Sequence, residues 1–121
     1  MAKKKTIQPR DLWIVDLTVK TFEKGPVGHE QGYRRPCLVM VYNKFAELCT
    51  VIPLTSQLSA THYPHTYLLK KTNNNGLTLD SVALIFQMRS LSKKRFLNKI
   101  GVIDKKDLTS IKHLISNYFQ L

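Results

Sequence analysis

The sequence predicts a small, strongly curved, mostly antiparallel β-barrel of the α+β class, carrying one C-terminal amphipathic helix. Three observations predict it. Short β-branched and aromatic runs recur along the first hundred residues with turn residues between them. Apolar residues recur at helical spacing only at the carboxyl end. All strands precede the helix, so the alternation that builds a doubly wound sheet is missing. With 121 residues the chain is expected to form one unit from about Pro9 to Leu121 behind a basic tail at residues 1–8. That length buries roughly two-thirds of the unfolded surface in one core without help from a metal or disulfide.

Each element follows from its residues. Leu12 to Leu17 reads as the first strand, and the Gly- and Pro-bearing loop from about Lys20 to Arg34 separates it from the second, Pro36 to Tyr42. Asn43 to Glu47 is a polar turn. Leu48 to Leu54 forms the third strand, where Pro53 predicts an edge or a bulge, and Thr55-Ser56-Gln57 opens the next loop. Thr66 to Leu69 is the fourth strand. Lys70 to Gly76, with three consecutive asparagines before the glycine, is a turn because these residues tolerate left-handed backbone. Ser81 to Phe86 is the fifth strand. Ser92 caps a short helical turn through Leu97, and Ile100 to Ile103 adds a sixth short strand. Asp104 then caps a helix whose Leu108, Ile111, Leu114, Ile115, Tyr118 and Phe119 lie on one face.

Nineteen Lys+Arg against eight Asp+Glu give a net charge of +11. Subtracting Lys3, Lys4 and Lys5 leaves +8, so the positive field belongs to the folded body and suits a polyanionic partner. A solvated lysine surface that keeps a small protein soluble is the plainer reading of the same charge. No apolar run approaches the roughly 20 residues of a spanning helix, and no apolar signal region follows the amino-terminal lysines, so a cytoplasmic protein without membrane contact is expected. Cys37 and Cys49 lie in apolar runs and read as buried free thiols. Phosphate-loop, zinc-type and serine-hydrolase motifs are missing, so any catalysis falls to ordinary side chains with no metal or other cofactor.

The stretch from His29 through Glu30, Gln31, Gly32, Tyr33, Arg34 and Arg35 to Pro36 sets cations beside an acid and an imidazole at the mouth of a strand. Such a group suits a phosphate-bearing substrate. Together with Leu12 to Leu17, Pro53-Leu54-Thr55-Ser56, Asp80 to Leu84, Gln87-Met88-Arg89-Ser90 and Lys99-Ile100-Gly101, it resembles the MazF/PemK family of bacterial toxins across nearly the whole chain from Asp11 onward.

That resemblance implies an SH3-like barrel forming a homodimer, a sequence-preferring endoribonuclease that cleaves single-stranded RNA, and an antitoxin that wraps and blocks the dimer. It sets the family's catalytic arginine on Arg35 and catalytic threonine on Thr55, and matches His29 to the histidine of PemK-like members. Glu30, Gln31 and Arg34 then belong to the RNA-binding loop, and Gln87 and Arg89 to the segment beside the RNA path. DNA would be read only through the antitoxin.

The residue types fit metal-free transesterification by the ribose 2′-hydroxyl. Arg35 suits stabilisation of the phosphorane, and its pKa above about 12 makes it a poor base. Thr55 suits positioning. His29, with an ordinary pKa of about 6.5, and Glu30 remain rivals for the proton. Where many relatives carry an acid before the Gln-x-Arg glutamine, this chain has Phe86, which either faces the core, the commoner fate, or stacks on a base. Trp13 is core or dimer interface, His62 and His65 belong to a loop, and His113 is solvated. The positive body should attract an acidic disordered antitoxin segment. The alternative is a non-catalytic barrel that holds nucleic acid or a protein target such as gyrase.

Overall fold

A computed structural model describes residues 5–18 and 33–121. Its strands are β1 (Asp11–Asp16), β2 (Arg34–Asn43), β3 (Leu48–Thr55), β4 (Thr66–Leu69), β5 (Ser81–Leu84), β6 (Arg89–Ser92) and β7 (Phe96–Val102), and its helix is α1 (Lys105–Phe119). Short 3-10 turns occupy Leu58–His62, Ile85–Gln87 and Lys93–Arg95.

The seven strands form one antiparallel sheet in the order β4-β5-β3-β2-β1-β7, with β6 also pairing β3. The sheet is mostly antiparallel as expected but is not closed into a barrel. Consecutive β6 and β7 are joined through a 3-10 turn rather than a hairpin, β6 binding β3 and β7 binding β1. Among the described residues no ladder links the two, which leaves the seam open.

β3 is the hub. Its first half, Leu48 to Val51, pairs with β6, and its end, Leu54 and Thr55, pairs with β5. Pro53 lies at the changeover between these two partners, where its missing N–H costs no ladder bond to either. It therefore sits on a central strand rather than at an edge.

Alternation along the strands divides the core into two clusters. One face of the sheet buries Trp13, Val15, Cys37, Val39, Val51, Leu91 and Phe96. The other buries Leu12, Leu38, Ile52, Leu54 and Ile85 under α1, whose Ile111 is fully buried with Leu108, Leu114 and Ile115 packed around it. Ile7, just ahead of β1, is buried with the first cluster. Asp104 caps α1 through its carboxylate and the Lys106 amide, as expected. Tyr67 of β4 donates to the Asp107 carboxylate at 2.6 Å and so pins the first turn of α1, a bond that also raises the phenol's pKa.

The entry of β1 is built around a buried charge. Asp11 is 2% exposed, accepts from the Gln8 amide at 2.9 Å and the Trp13 indole at 3.1 Å, and pairs with Lys99 of β7 at 3.2 Å. This places Trp13 in the core, edge-on to Phe96. Both cysteines are buried free thiols, and burial pushes Cys37 up to about 12 and Cys49 up to about 11.

Three sequence expectations are corrected here. The segment after Phe86 forms a strand, β6, where none was expected. The fifth strand ends at Leu84 because Ile85–Gln87 winds into a 3-10 turn. Ser92 does cap a helical turn, accepting from the Lys94 amide, but the turn is only Lys93–Arg95 and β7 begins directly after it at Phe96 rather than at Ile100. Phe96 is fully buried, and that anchors the earlier start.

The turn from Thr72 to Gly76 is tied to β7 through backbone. Asn75 is buried, its side chain bonding the Thr72 and Leu77 amides and the Lys70 carbonyl. Gly76 has φ +70°, and a Cβ there would stand 1.9 Å from the Ile100 carbonyl oxygen. A Cβ at Gly101 would stand 2.4 Å from the Asn74 carbonyl oxygen. Only glycine fits at either position.

Candidate active site

β2 and β3 run antiparallel with Cys37 opposite Pro53 and Leu38 opposite Ile52. Extended by two residues, that register sets Arg35 opposite Thr55 on one face of the sheet. Both residues line a cleft of about 420 Å³ at this end of the molecule. Ile14, Pro36 and Leu54 also line it, and its far wall is the Gly76–Leu79 segment with Ser81 and Ile100. Arg34, Ser56 and Gln57 complete the lining.

The two arginines have different surroundings because neighbours on a strand face opposite ways. Arg34 lies opposite Asp16, whose carboxyl is held below its ordinary range chiefly by hydrogen bonds from Thr18, with the Arg34 and Arg95 charges adding to the effect. Arg35 lies opposite Val15, on the face of Cys37, and its guanidinium stacks over the Tyr33 ring at 4.3 Å. Stacking of this kind holds the planar group in orientation while its donors stay available. Arg89 pairs with Val51, which shares its face with Val39 and Cys37, so Arg35 and Arg89 lie on one face of the sheet.

Thr55 is half-buried at the end of β3. Its Oγ1 accepts from the Gln57 amide at 3.2 Å, closing a tight local turn. That bond uses one of the oxygen's two lone pairs and orients the hydroxyl, whose proton is free to donate outward. The Gln57 side chain makes no capping bond to the 3-10 turn it precedes.

Of the residues singled out from sequence, Arg35, Thr55 and Arg34 are thus brought to one cleft. Gln87 and Arg89 are exposed on the neighbouring 3-10 turn and β6, outside the cleft lining. His29, Glu30 and Gln31 lie outside the described residues. Among the described residues no three His, Cys, Asp or Glu side chains gather into a metal-sized group. Phe86 is not in the core: it is 36% exposed, edge-on to Tyr63 at 6.3 Å. His113 is exposed, and His65 packs edge-on against Tyr118.

Sequence reasoning missed the far wall, where Leu79 is 59% exposed. The asparagine-glycine turn announced a loop there, but its packing against β7 depends on two glycines with no local signature. Among the described residues no helix is long and apolar enough to cross a membrane.

The family model for PemK-like, MazF-like toxins of type II toxin-antitoxin systems matches residues 8–119. The chain belongs to this family. Endoribonuclease EndoA of Bacillus subtilis is 32% identical over 104 residues, which is 84% of each chain. MazF of Deinococcus radiodurans superposes with a TM-score of 0.73 at 22% identity, over 98% of this chain and 100% of that one. A MazE-MazF structure from the same organism gives 0.71 at 21% identity, over 96% and 97%. These superpositions give the chain a MazF-like fold at low sequence identity.

Proposed function

We propose that this MazF/PemK-type toxin is an endoribonuclease that cuts single-stranded RNA by attack of a ribose 2′-hydroxyl on the adjacent phosphate. The observation that carries this reading is that Arg35 and Thr55, twenty positions apart in sequence, line one cleft. The 2′-oxygen forms a bond to phosphorus, the bond to the 5′-oxygen breaks, and the products are a 2′,3′-cyclic phosphate and a free 5′-hydroxyl. Negative charge builds on the non-bridging oxygens, and a fixed guanidinium with several donors offsets it. The Tyr33 stack keeps Arg35 from having to reorganise as that charge appears. Thr55, its oxygen oriented by the bond from the Gln57 amide, donates its proton to a phosphate oxygen and fixes the scissile group. His29 or Glu30 takes the 2′-hydroxyl proton, and a proton is returned to the departing oxygen.

Arg34, Gln31, Gln87 and Arg89 bind the strand on either side, and unpaired bases give it sequence preference. The open, curved sheet is read as an SH3-like barrel with its seam at β6 and β7, formed by residues 9–121 and working as a cytoplasmic homodimer. An acidic antitoxin is its neutralising partner, and DNA is reached only through that antitoxin. The +11 charge supports both partners, since RNA and an acidic segment are alike polyanions. The test is direct. Purified protein free of antitoxin should cut single-stranded RNA in EDTA, and one deoxyribose at the cut position should abolish cleavage there. Intact RNA after long incubation would instead favour a non-catalytic binding module.

A further inference from the structure

Tyr63 and Phe86 come from separate segments and meet edge to face, with ring centroids 6.3 Å apart and planes inclined at 61°. Both are exposed, Tyr63 at 64% and Phe86 at 36%. An apolar ring leaves water at little cost if it can turn inward, and here it does not. Ile85 is fully buried in the core beneath, and the 3-10 turn that follows β5 carries the next residue, Phe86, outward. Tyr63 is held beside it at the end of the 3-10 turn that begins just past Gln57.

The location links this pair to the cleft on one side and to charge on the other. Thr55 lies opposite Val82 on β5, and Phe86 follows four residues later, roughly 11 Å along the chain at strand and 3-10 rises. Exposed Gln87 and Arg89 come directly after it. Two exposed rings near a hydrogen-bonding amide and a cation match what an unpaired nucleotide requires, namely a π-face to stack on and a positive charge for its phosphate. An edge-to-face pair also holds each ring's angle, so a base meets a surface already oriented.

From this arrangement we infer that Tyr63 and Phe86 form a stacking platform for one unpaired base of the RNA, a short distance from the scissile phosphate. The platform helps determine specificity and takes no part in bond breaking. The inference rests on the RNA-cutting function proposed above, yet its test reads binding separately from cleavage. Every base has a face to stack, so the platform anchors the strand and leaves base identity to polar groups.

The experiment is an abasic scan. A single-stranded RNA that the protein binds is used, with one deoxyribose at the cut position where cutting occurs; each position in turn is replaced by an abasic nucleotide, and binding is measured by fluorescence anisotropy. With wild-type protein, one position on one side of the cut should weaken binding by about 5- to 150-fold, the value of one base–aromatic stack. In Phe86→Ala and in Tyr63→Ala that same position should become indifferent, whereas Phe86→Trp should keep the dependence. Circular dichroism and thermal unfolding confirm that each variant is folded, and Tyr63→Ala, at the more exposed residue, provides the readout should Phe86→Ala not fold. A scan with no sensitive position, or one whose sensitivity survives in both alanine variants, overturns the platform even if RNA is cut. Weakened antitoxin binding with unchanged RNA binding also overturns it and assigns the surface to protein. Should RNA remain uncut while the abasic pattern appears, the cleavage reading fails and the platform stands.

Discussion

Replacing Thr55 by Val removes one hydroxyl. Valine keeps the β-branched shape at the end of β3 and removes only the hydroxyl. Two bonds are at stake. The one accepted from the Gln57 amide is 3.2 Å long, and Gln57 is exposed, so water replaces it and stability changes by at most about 0.5 kcal/mol. The one donated to a phosphorane oxygen is charge-assisted and contributes about 1.5–3 kcal/mol. If that bond strengthens only as charge develops, the rate constant falls about 10- to 150-fold while binding of a non-cleavable strand is unchanged. The assay is single-turnover cleavage of a fluorescently labelled single-stranded RNA, with unfolding followed through Trp13, the one tryptophan in the chain. Thr55→Ser should recover most of the rate. A Thr55→Val rate within about threefold of wild type at unchanged stability would refute the reasoning, because the cleft would then not use the hydroxyl.

Three further outcomes are expected. Arg35→Lys keeps the charge but loses the donor fork and the flat stack on Tyr33, so cleavage should fall about 10²- to 10³-fold without a matching loss of RNA binding, as a comparison of rate and affinity will reveal. Asp11→Ala strands the buried indole N–H of Trp13 and removes the Gln8 and Lys99 contacts, although half-exposed Lys99 rehydrates. A cost of about 3 kcal/mol is expected in urea unfolding, with Asp11→Asn intermediate, and a change below about 1 kcal/mol would contradict the role assigned to that carboxylate. The two thiols are protonated more tightly in the folded state, at about 12 and about 11 against an ordinary value near 9. Their contribution is therefore complete below about pH 9 and is lost as pH rises through 11 to 12, by up to about 1.4 kcal/mol per pH unit per thiol. Urea midpoints measured from pH 8 to 10.5 should decline less steeply when Cys37 and Cys49 are both replaced by Ala than in the wild type, and thiol reagents at pH 8 should label neither until the protein opens.

The parts of this molecule that were legible in the sequence are those whose residues decide their own fate. β1, β2 and β3 carry continuous β-branched and apolar runs, and α1 has both a cap and a helical stripe, so each was readable from local pattern. β6 was not, because Arg89 and Ser90 are exposed and polar and only Leu91 is buried; the strand exists because β3 offers it a partner, with Thr50 and Ser90 hydroxyls 2.9 Å apart across the pair. Phe86 misled for a related reason. An apolar run cannot tell where it stops being a strand, and the turn at Ile85 reverses which residue faces inward. That Arg35 and Thr55 lie close together follows from the β2–β3 register, while the wall that makes their surroundings a cleft depends on tertiary contact alone.

That wall has an evolutionary consequence. It is seated on β7 through main-chain atoms, at Gly76 against Ile100 and at Gly101 against Asn74, and not through the side chains it shows to the cleft. Thr78 and Leu79 are exposed and carry little of the fold's stability, so they can drift while the seam keeps the backbone path. Under the RNA-cutting function proposed above, exchanging a few wall residues would change which strand is preferred without disturbing Arg35, Thr55 or the core. The two glycines bear the opposite constraint, and a saturation library should tolerate almost nothing at 76 and 101 while accepting much at 78 and 79.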